Sequence, residues 1–290
     1  MKEETFIGHR QIANDALYYI YRYIDSDINL EHLAQTLGIS RCHLHRVFRE
    51  QIGINLYAMI KSVRLQKASS LLLTNRYATI TQIASMCGYA SQTSFMRAFK
   101  ARFGMTPKAW RQGGFKAYSD RIIRSSAAAS ASDRTFEGLE AEIVRTEPID
   151  ARYIRHRGYS PAVRSVWQKI RAWCYTHGIE EGRQIGIYHD NPAVTPLSEC
   201  HYVAAVETAM PAEGGSLPSF RIPGGLYARF YVEGKYGDVL RLIRWAYHVW
   251  LPDSGYETTT APSFTLFRKN HFLEKDGRFE AHYFLPVRLV

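Results

Sequence analysis

The sequence predicts a multi-domain chain. An all-α N-terminal domain with two helix-turn-helix motifs is followed by an α+β C-terminal domain of duplicated β-α-β-β modules. Three observations carry this expectation. A helical motif within residues 1–112 recurs about 50 residues downstream. A strand–glycine–helix–strand–strand pattern within residues 137–290 recurs about 76 residues downstream. The excess positive charge is confined to residues 1–124.

The formal net charge is +10 over 290 residues. Residues 1–124 hold 18 Lys and Arg against 8 Asp and Glu, whereas residues 125–290 hold 19 against 19. A surplus carried by one region only, and coinciding with the helical repeat, points to a polyanionic partner for that region. The other classes are argued against in turn. Hydrophobic content of 46% supports packed cores and excludes a disordered chain. No apolar run approaches a bilayer-spanning length, so no membrane partner is expected. Met1-Lys2-Glu3-Glu4 carries acid and lacks an apolar core, so no secretory signal is expected and a cytoplasmic location is. Cys42, Cys87, Cys174 and Cys200 are widely spaced without a CxxC, which argues against a zinc module or a disulfide scaffold and fits a reducing compartment. His43 and His45 stand at i and i+2, which do not share a helix face, so no metal is expected there and no cofactor elsewhere.

Residues 9–25 are apolar at Ile12, Ala16, Tyr19, Ile20 and Tyr23, which predicts a supporting helix. Asn29 is the expected cap of a helix over Leu30–Leu37 with Leu30, Leu33, Ala34 and Leu37 inward. Gly38 ends it, because the sharp turn needs a residue tolerant of positive φ. Ser40 caps the next helix, Arg41–Gln51, with Leu44, Val47 and Phe48 buried and Arg41, Cys42, His45, Arg46 and Arg49 outward. Leu56–Leu73 is a long linking helix. The second copy repeats the plan: Ile80, Ile83, Ala84 and Cys87 face inward, Gly88 turns the chain and Ser91 caps. Phe95, Ala98 and Phe99 then pack, leaving Gln92, Thr93, Ser94, Arg97, Lys100 and Arg102 for solvent or DNA. The second copy carries one extra residue in its turn, so Arg46 and Arg97 occupy matching positions, 51 residues apart.

A major groove admits one α-helix, and its base edges carry a full donor–acceptor code. Arginine can bridge guanine O6 and N7, and glutamine can do the same to adenine. Double-stranded DNA is therefore the expected partner. Ser40, Ser91, Lys100 and Arg102 suit phosphates, which position a helix without reading sequence. Arg41 and Arg49 are placed with them. For the two serines, simple capping is an equally good explanation. Two readers on one rigid domain should enter successive major grooves on one face of the duplex, about one turn or ~34 Å apart. Held closer, they must bend the DNA, at on the order of 1–6 kcal/mol.

These motifs resemble the DNA-binding domain of the AraC/XylS family. The residues concerned are Gly38-Ile39-Ser40 with Leu44-His45-Arg46-Val47-Phe48-Arg49, Gly88-Tyr89 with Ser91-Gln92 and Phe95-Met96-Arg97-Ala98-Phe99-Lys100, and the closing run Phe103-Gly104-Met105-Thr106-Pro107 with Trp110-Arg111. The resemblance covers roughly residues 9–112 and is closest to the MarA, SoxS and Rob subgroup. It implies base contacts at Cys42, His45 and Arg46 in the first reader and at Gln92, Thr93 and Arg97 in the second. That subgroup often carries Trp where this chain has Cys42, so the DNA sequence read need not be theirs. The resemblance also implies RNA polymerase as a protein partner and activation as the mode of action.

Residues 113–136, with Gly113-Gly114 and the small uncharged stretch 125–132, read as an interdomain linker, with a helix through the alanines as the alternative that the serines weaken. Beyond it, Ala151–Arg157 is strand-like and ends at Gly158, and Leu226–Glu233 is strand-like and ends at Gly234. Amphipathic helices follow, one through Val163, Val166, Trp167, Ile170 and Trp173, the other through Val239, Leu242, Ile243, Ala246 and Trp250. Two strands follow each: Gln184–His189 and His201–Val206, then Ser263–Arg268 and Ala281–Leu289.

This half resembles the GyrI-like effector-binding domain through Ile222-Pro223-Gly224-Gly225-Leu226-Tyr227, Gly234, Trp250-Leu251-Pro252 with Ser254-Gly255-Tyr256-Glu257, and the closing strand pair. The resemblance implies a groove between the two halves that takes flat, often cationic molecules. The family's floor pattern, P-x-x-E-x-Y, reads Pro262-Ser263-Phe264-Thr265-Leu266-Phe267 here. Thr265 stands in place of the acid that would balance a cation in a dry pocket, and Phe267 in place of the tyrosine, which favours a neutral ligand or one held differently. Tyr153, Tyr188, Phe230, Trp250, Thr265 and Phe267 are the expected pocket liners, and ordinary core packing explains each about as well. Glu207 and Glu233 could supply charge, but fit solvated surface acids better.

The expected function is a sequence-specific transcriptional regulator with a small-molecule or protein effector, and not an enzyme. Two alternatives stand beside it. A hydrolase or scavenger fused to a DNA-binding domain is weakened by the missing floor acid. A C-terminal domain used purely for protein docking predicts no small-molecule binding.

Overall fold

The computed structural model describes residues 2–179, 182–208 and 217–290. Its first region is helical: α1 (Lys2–Arg22), α2 (Leu30–Thr36), α3 (Arg41–Ile52), α4 (Leu56–Thr74), α5 (Ile80–Met86) and α6 (Gln92–Phe103). The caps are where the small polar residues put them. Asn29 Oδ1 accepts from His32 N at 2.9 Å, Ser40 Oγ from His43 N at 3.2 Å and Ser91 Oγ from Ser94 N at 3.2 Å. Gly38 (φ 67°) and Gly88 (φ 72°) take the left-handed turn between the helices of each motif. The supporting helix α1 begins and ends earlier than the apolar spacing over 9–25 predicts.

Each motif has its own core, and α4 serves both. Its N-terminal half gives Leu56, Met59, Ile60 and Val63 to a cluster with Ala16, Leu17 and Ile20 of α1 and Leu44 and Phe48 of α3. Its C-terminal half gives Leu65, Ala68, Leu71 and Leu72 to Ile83, Ala84, Phe95, Phe99, Phe103 and Trp110. Trp110 Nε1 donates to Ser69 O at 3.0 Å, so the buried indole is satisfied.

The segment expected to be an interdomain linker is largely helical. After α7 (Pro107–Ala109), a π-helical turn over Trp110–Gly114 leads into α8 (Phe115–Arg124) and then α9 (Ala127–Ala131). The reason is packing. Ile122, Ile123 and Ala129 join the core of the second domain. Gly237 also approaches the backbone of Ala128 closely: a Cβ there would lie 2.3 Å from Ala128 O. Small residues 125–132 look like spacer in sequence but are what this close approach demands.

The second region is an antiparallel sheet with helices. Its strands are β1 (Glu142–Thr146), β2 (Ile149–Arg157), β3 (Gln184–Tyr188), β4 (His201–Glu207), β5 (Ser219–Ile222), β6 (Gly225–Lys235), β7 (Tyr256–Thr258), β8 (Ser263–Lys269) and β9 (Arg278–Leu289). They run in the order β1-β6-β9-β8-β3-β4-β2-β5, with β7 pairing β9. The duplication is visible in this order: β2-β4-β3 mirrors β6-β9-β8 about the β3–β8 pair, where Gly186 lies opposite Thr265. Helix α10 (Val163–Thr176) follows β2. Helix α11 (Tyr236–Trp245) follows β6 and continues through a π-helical turn (Ala246–Trp250) into α12 (Leu251–Asp253). Strands β1, β5 and β7 have no counterpart in the β-α-β-β reading of the sequence.

The sheet is covered on both faces. One face packs on α10 and α11 around Trp167, Tyr202, Phe230, Val239, Ile243 and Tyr283. The other gathers Tyr153, Ile185, Ile187, Val203, Phe220, Tyr227, Phe264 and Phe284, and Tyr18 of α1 packs against it. The supporting helix of the first domain therefore also helps cover the second domain's sheet. Ala193 and Val194, in the connection between β3 and β4, complete the contact by entering the core of the second helix-turn-helix motif.

Candidate nucleic-acid interface and effector domain

The outward faces of α3 and α6 form one candidate site. Their inward stripes, Leu44, Val47 and Phe48 and then Phe95, Phe99 and Phe103, are buried. The 3.6-residue period consequently turns Arg41, Cys42, Arg46, Arg49, Gln92, Thr93, Arg97 and Lys100 to solvent. Ser40 and Ser91, at the helix starts, are exposed as well. His45 is half-buried, its ring stacked on Tyr57 at 5.6 Å. Burial and, after it, the Arg41 charge hold His45 below the ordinary imidazole range, so the ring is neutral at pH 7. Arg41 donates to Tyr57 Oη at 2.6 Å, which fixes Tyr57 at the end of α4 beside the first reading face. Arg46 pairs with Glu50 one turn on at 3.3 Å. That exposed pair is worth little, so Arg46 can exchange it for another partner at small cost. Gln92 Oε1 accepts from Thr81 Oγ1 at 2.8 Å, which braces its side chain against α5.

Arg102 departs from the expectation. It is turned away from the reading face and pairs with Glu199 of the second domain at 3.1 Å. At the last turn of α6 the helical period carries it round toward the domain contact, which sequence spacing alone does not reveal.

Five of the six expected pocket liners share one face of the sheet, and Tyr153 does not. Tyr188, Phe230, Phe267 and Trp250 belong to the helix-covered face, and Thr265 Oγ1 lies 3.3 Å from Tyr188 Oη. Tyr153 faces the other way, where its hydroxyl donates to Asn14 of α1 at 3.2 Å. A period of two assigns residues to faces but not to which face carries a groove. On the helix-covered face, Tyr159 packs against Tyr188 at 5.8 Å, Tyr202 at 5.5 Å and Tyr236 at 5.7 Å, so the space between the halves holds tyrosine rings. Gly186, opposite Thr265, leaves the room they need: a Cβ there would lie 2.4 Å from Tyr202 Oη. Glu207 pairs with Arg183, and Glu233 is exposed on β6.

The GyrI-like small molecule binding domain family matches residues 139–288. The chain belongs to the GyrI-like family. Ahead of the GyrI-like domain, residues 33–113 match a helix-turn-helix domain, which is of the AraC type. The xylose operon regulatory protein of Escherichia coli K12 is 36% identical over 96 residues, covering 33% of this chain and 24% of that protein. The right origin-binding protein of the same strain is 35% identical over 102 residues, covering 35% of each. The chain thus spans about a quarter to a third of the length of these curated relatives. Among solved structures, the EcmrR C-terminal domain is similar at a TM-score of 0.41 and 14% identity, over 53% of this chain and 99% of that one.

Joining the GyrI-like domain to the helical domain is a polar seam that the sequence did not disclose. Gln66, on α4, donates to Asp190 Oδ1 at 2.9 Å and accepts from Asn191 N at 2.7 Å. Asp190 Oδ2 in turn takes His201 N at 2.8 Å and His201 Nδ1 at 2.7 Å. Burial alone would raise the Asp190 pKa, but the donors from His201 and Gln66 outweigh it and leave the carboxyl below its usual range. Tyr21 Oη meets His189 Nδ1 at 2.9 Å, and Asn14 Nδ2 donates to Ser219 O at 3.1 Å. The available signal was in α1, whose Leu17, Tyr18 and Tyr21 make the helix apolar on more than one side, a mark of a helix with two partners.

Proposed function

We propose that this chain is a transcriptional regulator that inserts α3 and α6 into neighbouring major grooves of one duplex and answers an effector through its GyrI-like domain. The observation that carries this is the pair of equivalently capped helices presenting Arg46 and Arg97 outward, in a region holding 18 Lys and Arg against 8 Asp and Glu over residues 1–124. In this reading Cys42, His45 and Arg46 read one half-site and Gln92, Thr93 and Arg97 the other. Ser40, Arg41, Arg49, Ser91 and Lys100 hold phosphates. Arg102 is left out of that set because Glu199 occupies it. The 19-residue α4 rises about 28 Å. Reading helices held closer than the ~34 Å turn would bend the duplex on engaging both grooves, at on the order of 1–6 kcal/mol.

The reading extends to activation with RNA polymerase as partner, in the cytoplasm. No catalytic role is assigned. Thr265 and the packed tyrosines leave no carboxylate at the position where the family's acid would stand, which disfavours both hydrolysis and a cation held there. Selection of bound sites from random duplexes tests the proposal. It predicts an enriched site of two half-sites about one turn apart. Arg46→Ala should relax one half and Arg97→Ala the other. Enrichment of a single half-site, or none, contradicts it.

A further inference from the structure

A broad concavity lies between the domains rather than between the halves of the GyrI-like domain. It is a cleft of about 850 Å³, within the range of small-molecule sites. One wall is α1, with Gln11, Asn14, Asp15, Tyr18 and Arg22, and the other is the sheet edge around Asp150, Ser219, Phe220 and Arg221.

We propose that this interdomain cleft is a binding site for an uncharged planar aromatic molecule. Two features set the class. Tyr18 and Phe220 lie ring on ring at 5.3 Å and 19° across the domain boundary, so a flat molecule can extend an existing stack. The charged groups of the walls balance. Asp150 and Arg221 pair at 2.7 Å, and among the lining residues Asp15 and Asp150 are matched in number by Arg22 and Arg221, so neither a cation nor an anion gains from entering. Asn14 and Ser219 supply a polar rim.

The position has a consequence. A molecule seated here touches both domains, and the helix it touches packs beneath α3 through Ala16, Leu17 and Ile20. Ligand that binds only when both walls are in place stabilises this arrangement of the domains over any other. Its role as an effector site rests on the regulator reading above; the binding site itself does not.

The test is titration of the full chain with Nile red, a neutral planar aromatic ketone whose fluorescence rises on leaving water. Saturable one-to-one binding is expected. Phe220→Ala and Tyr18→Ala should each weaken it at least tenfold. Because those changes also remove packing, Gln11→Trp is the companion variant: an exposed helical position at the cleft, where a large ring blocks entry without opening a cavity. It too should weaken binding at least tenfold. Cationic ethidium and anionic 8-anilinonaphthalene-1-sulfonate should bind at least fivefold more weakly than Nile red. Absence of saturable binding overturns the proposal, as does binding untouched by Gln11→Trp or tighter binding of either charged dye. Duplex binding is scored on the same preparations. A chain that binds DNA but not Nile red sinks this site and spares the regulator reading. A chain that binds Nile red at the cleft but no duplex does the reverse.

Discussion

Gln66→Met should loosen the seam between the domains without disturbing either core. Gln66 sits on α4, the helix shared by both motifs, and reaches across to Asp190 and Asn191. Methionine has nearly the same length and volume, so the change is in hydrogen bonding. The lost donor to the Asp190 carboxylate is a charge-assisted bond worth about 1.5–3 kcal/mol. The Asn191 N–H then loses its acceptor in a partly buried place, a further cost of about 1–3 kcal/mol. Some apolar burial of the methionine offsets this, so a net loss of about 2–5 kcal/mol is expected. Urea unfolding of the full chain, followed by tryptophan fluorescence, measures it. Trp110 reports the helical domain and Trp167 the second, and both are buried. If the seam makes the domains one cooperative unit, the variant should unfold earlier and with a broader transition as they separate. Gln11→Met, on the exposed side of α1, should stay within about 0.5 kcal/mol of the parent. A loss under about 1 kcal/mol for Gln66→Met refutes the assignment of the seam as a stabilising joint.

Other outcomes follow from particular residues. Arg97→Ala should cost about 1–3 kcal/mol on the selected site and relax preference at one base pair, with little change on random DNA, as read by gel shift at fixed salt. Gly38 and Gly88 share the left-handed conformation but not the surroundings. Alanine at Gly38 meets nothing within 4 Å and should cost about 1–2 kcal/mol, whereas alanine at Gly88 would lie 2.7 Å from Ile24 O and should cost clearly more by thermal unfolding. Burial lowers His189, His248 and His271 each to about 3. An unfolded imidazole takes its proton near pH 6.5, so the unfolded state binds more protons below that, and stability should fall as pH drops from about 6.5 toward 3. At pH 5 the loss is about 2 kcal/mol per histidine, visible as a lowered Tm against pH 7. A Tm unchanged between those two values contradicts the buried neutral assignment.

The helical region was legible because its signals are local. Asn29, Ser40 and Ser91 cap where a small acceptor precedes an apolar period, and Gly38 and Gly88 turn where positive φ is needed. The six strands of the two modules were legible, two of them, Ala151–Arg157 and Leu226–Glu233, by the glycines that end them. Strands β1, β5 and β7 were not, because three to five residues of mixed burial at a sheet margin carry no clean period. Residues 125–132 misled because small residues chosen for close packing against α11 have the composition of a linker. For the interface, the local pattern correctly turned Arg46 and Arg97 outward, yet Arg102 needed Glu199, some 97 positions away, to be placed. The cleft at Tyr18 and Phe220 lies beyond any pattern in the sequence, because its walls are about 200 residues apart along the chain.

Hydroxyl-radical footprinting on a selected duplex tests paired groove insertion most directly. Two protected patches on one face of the helix, centred about 10 base pairs apart, are predicted, with Arg46→Ala and Arg97→Ala each erasing a different one. A single patch, or two patches on opposite faces, contradicts it.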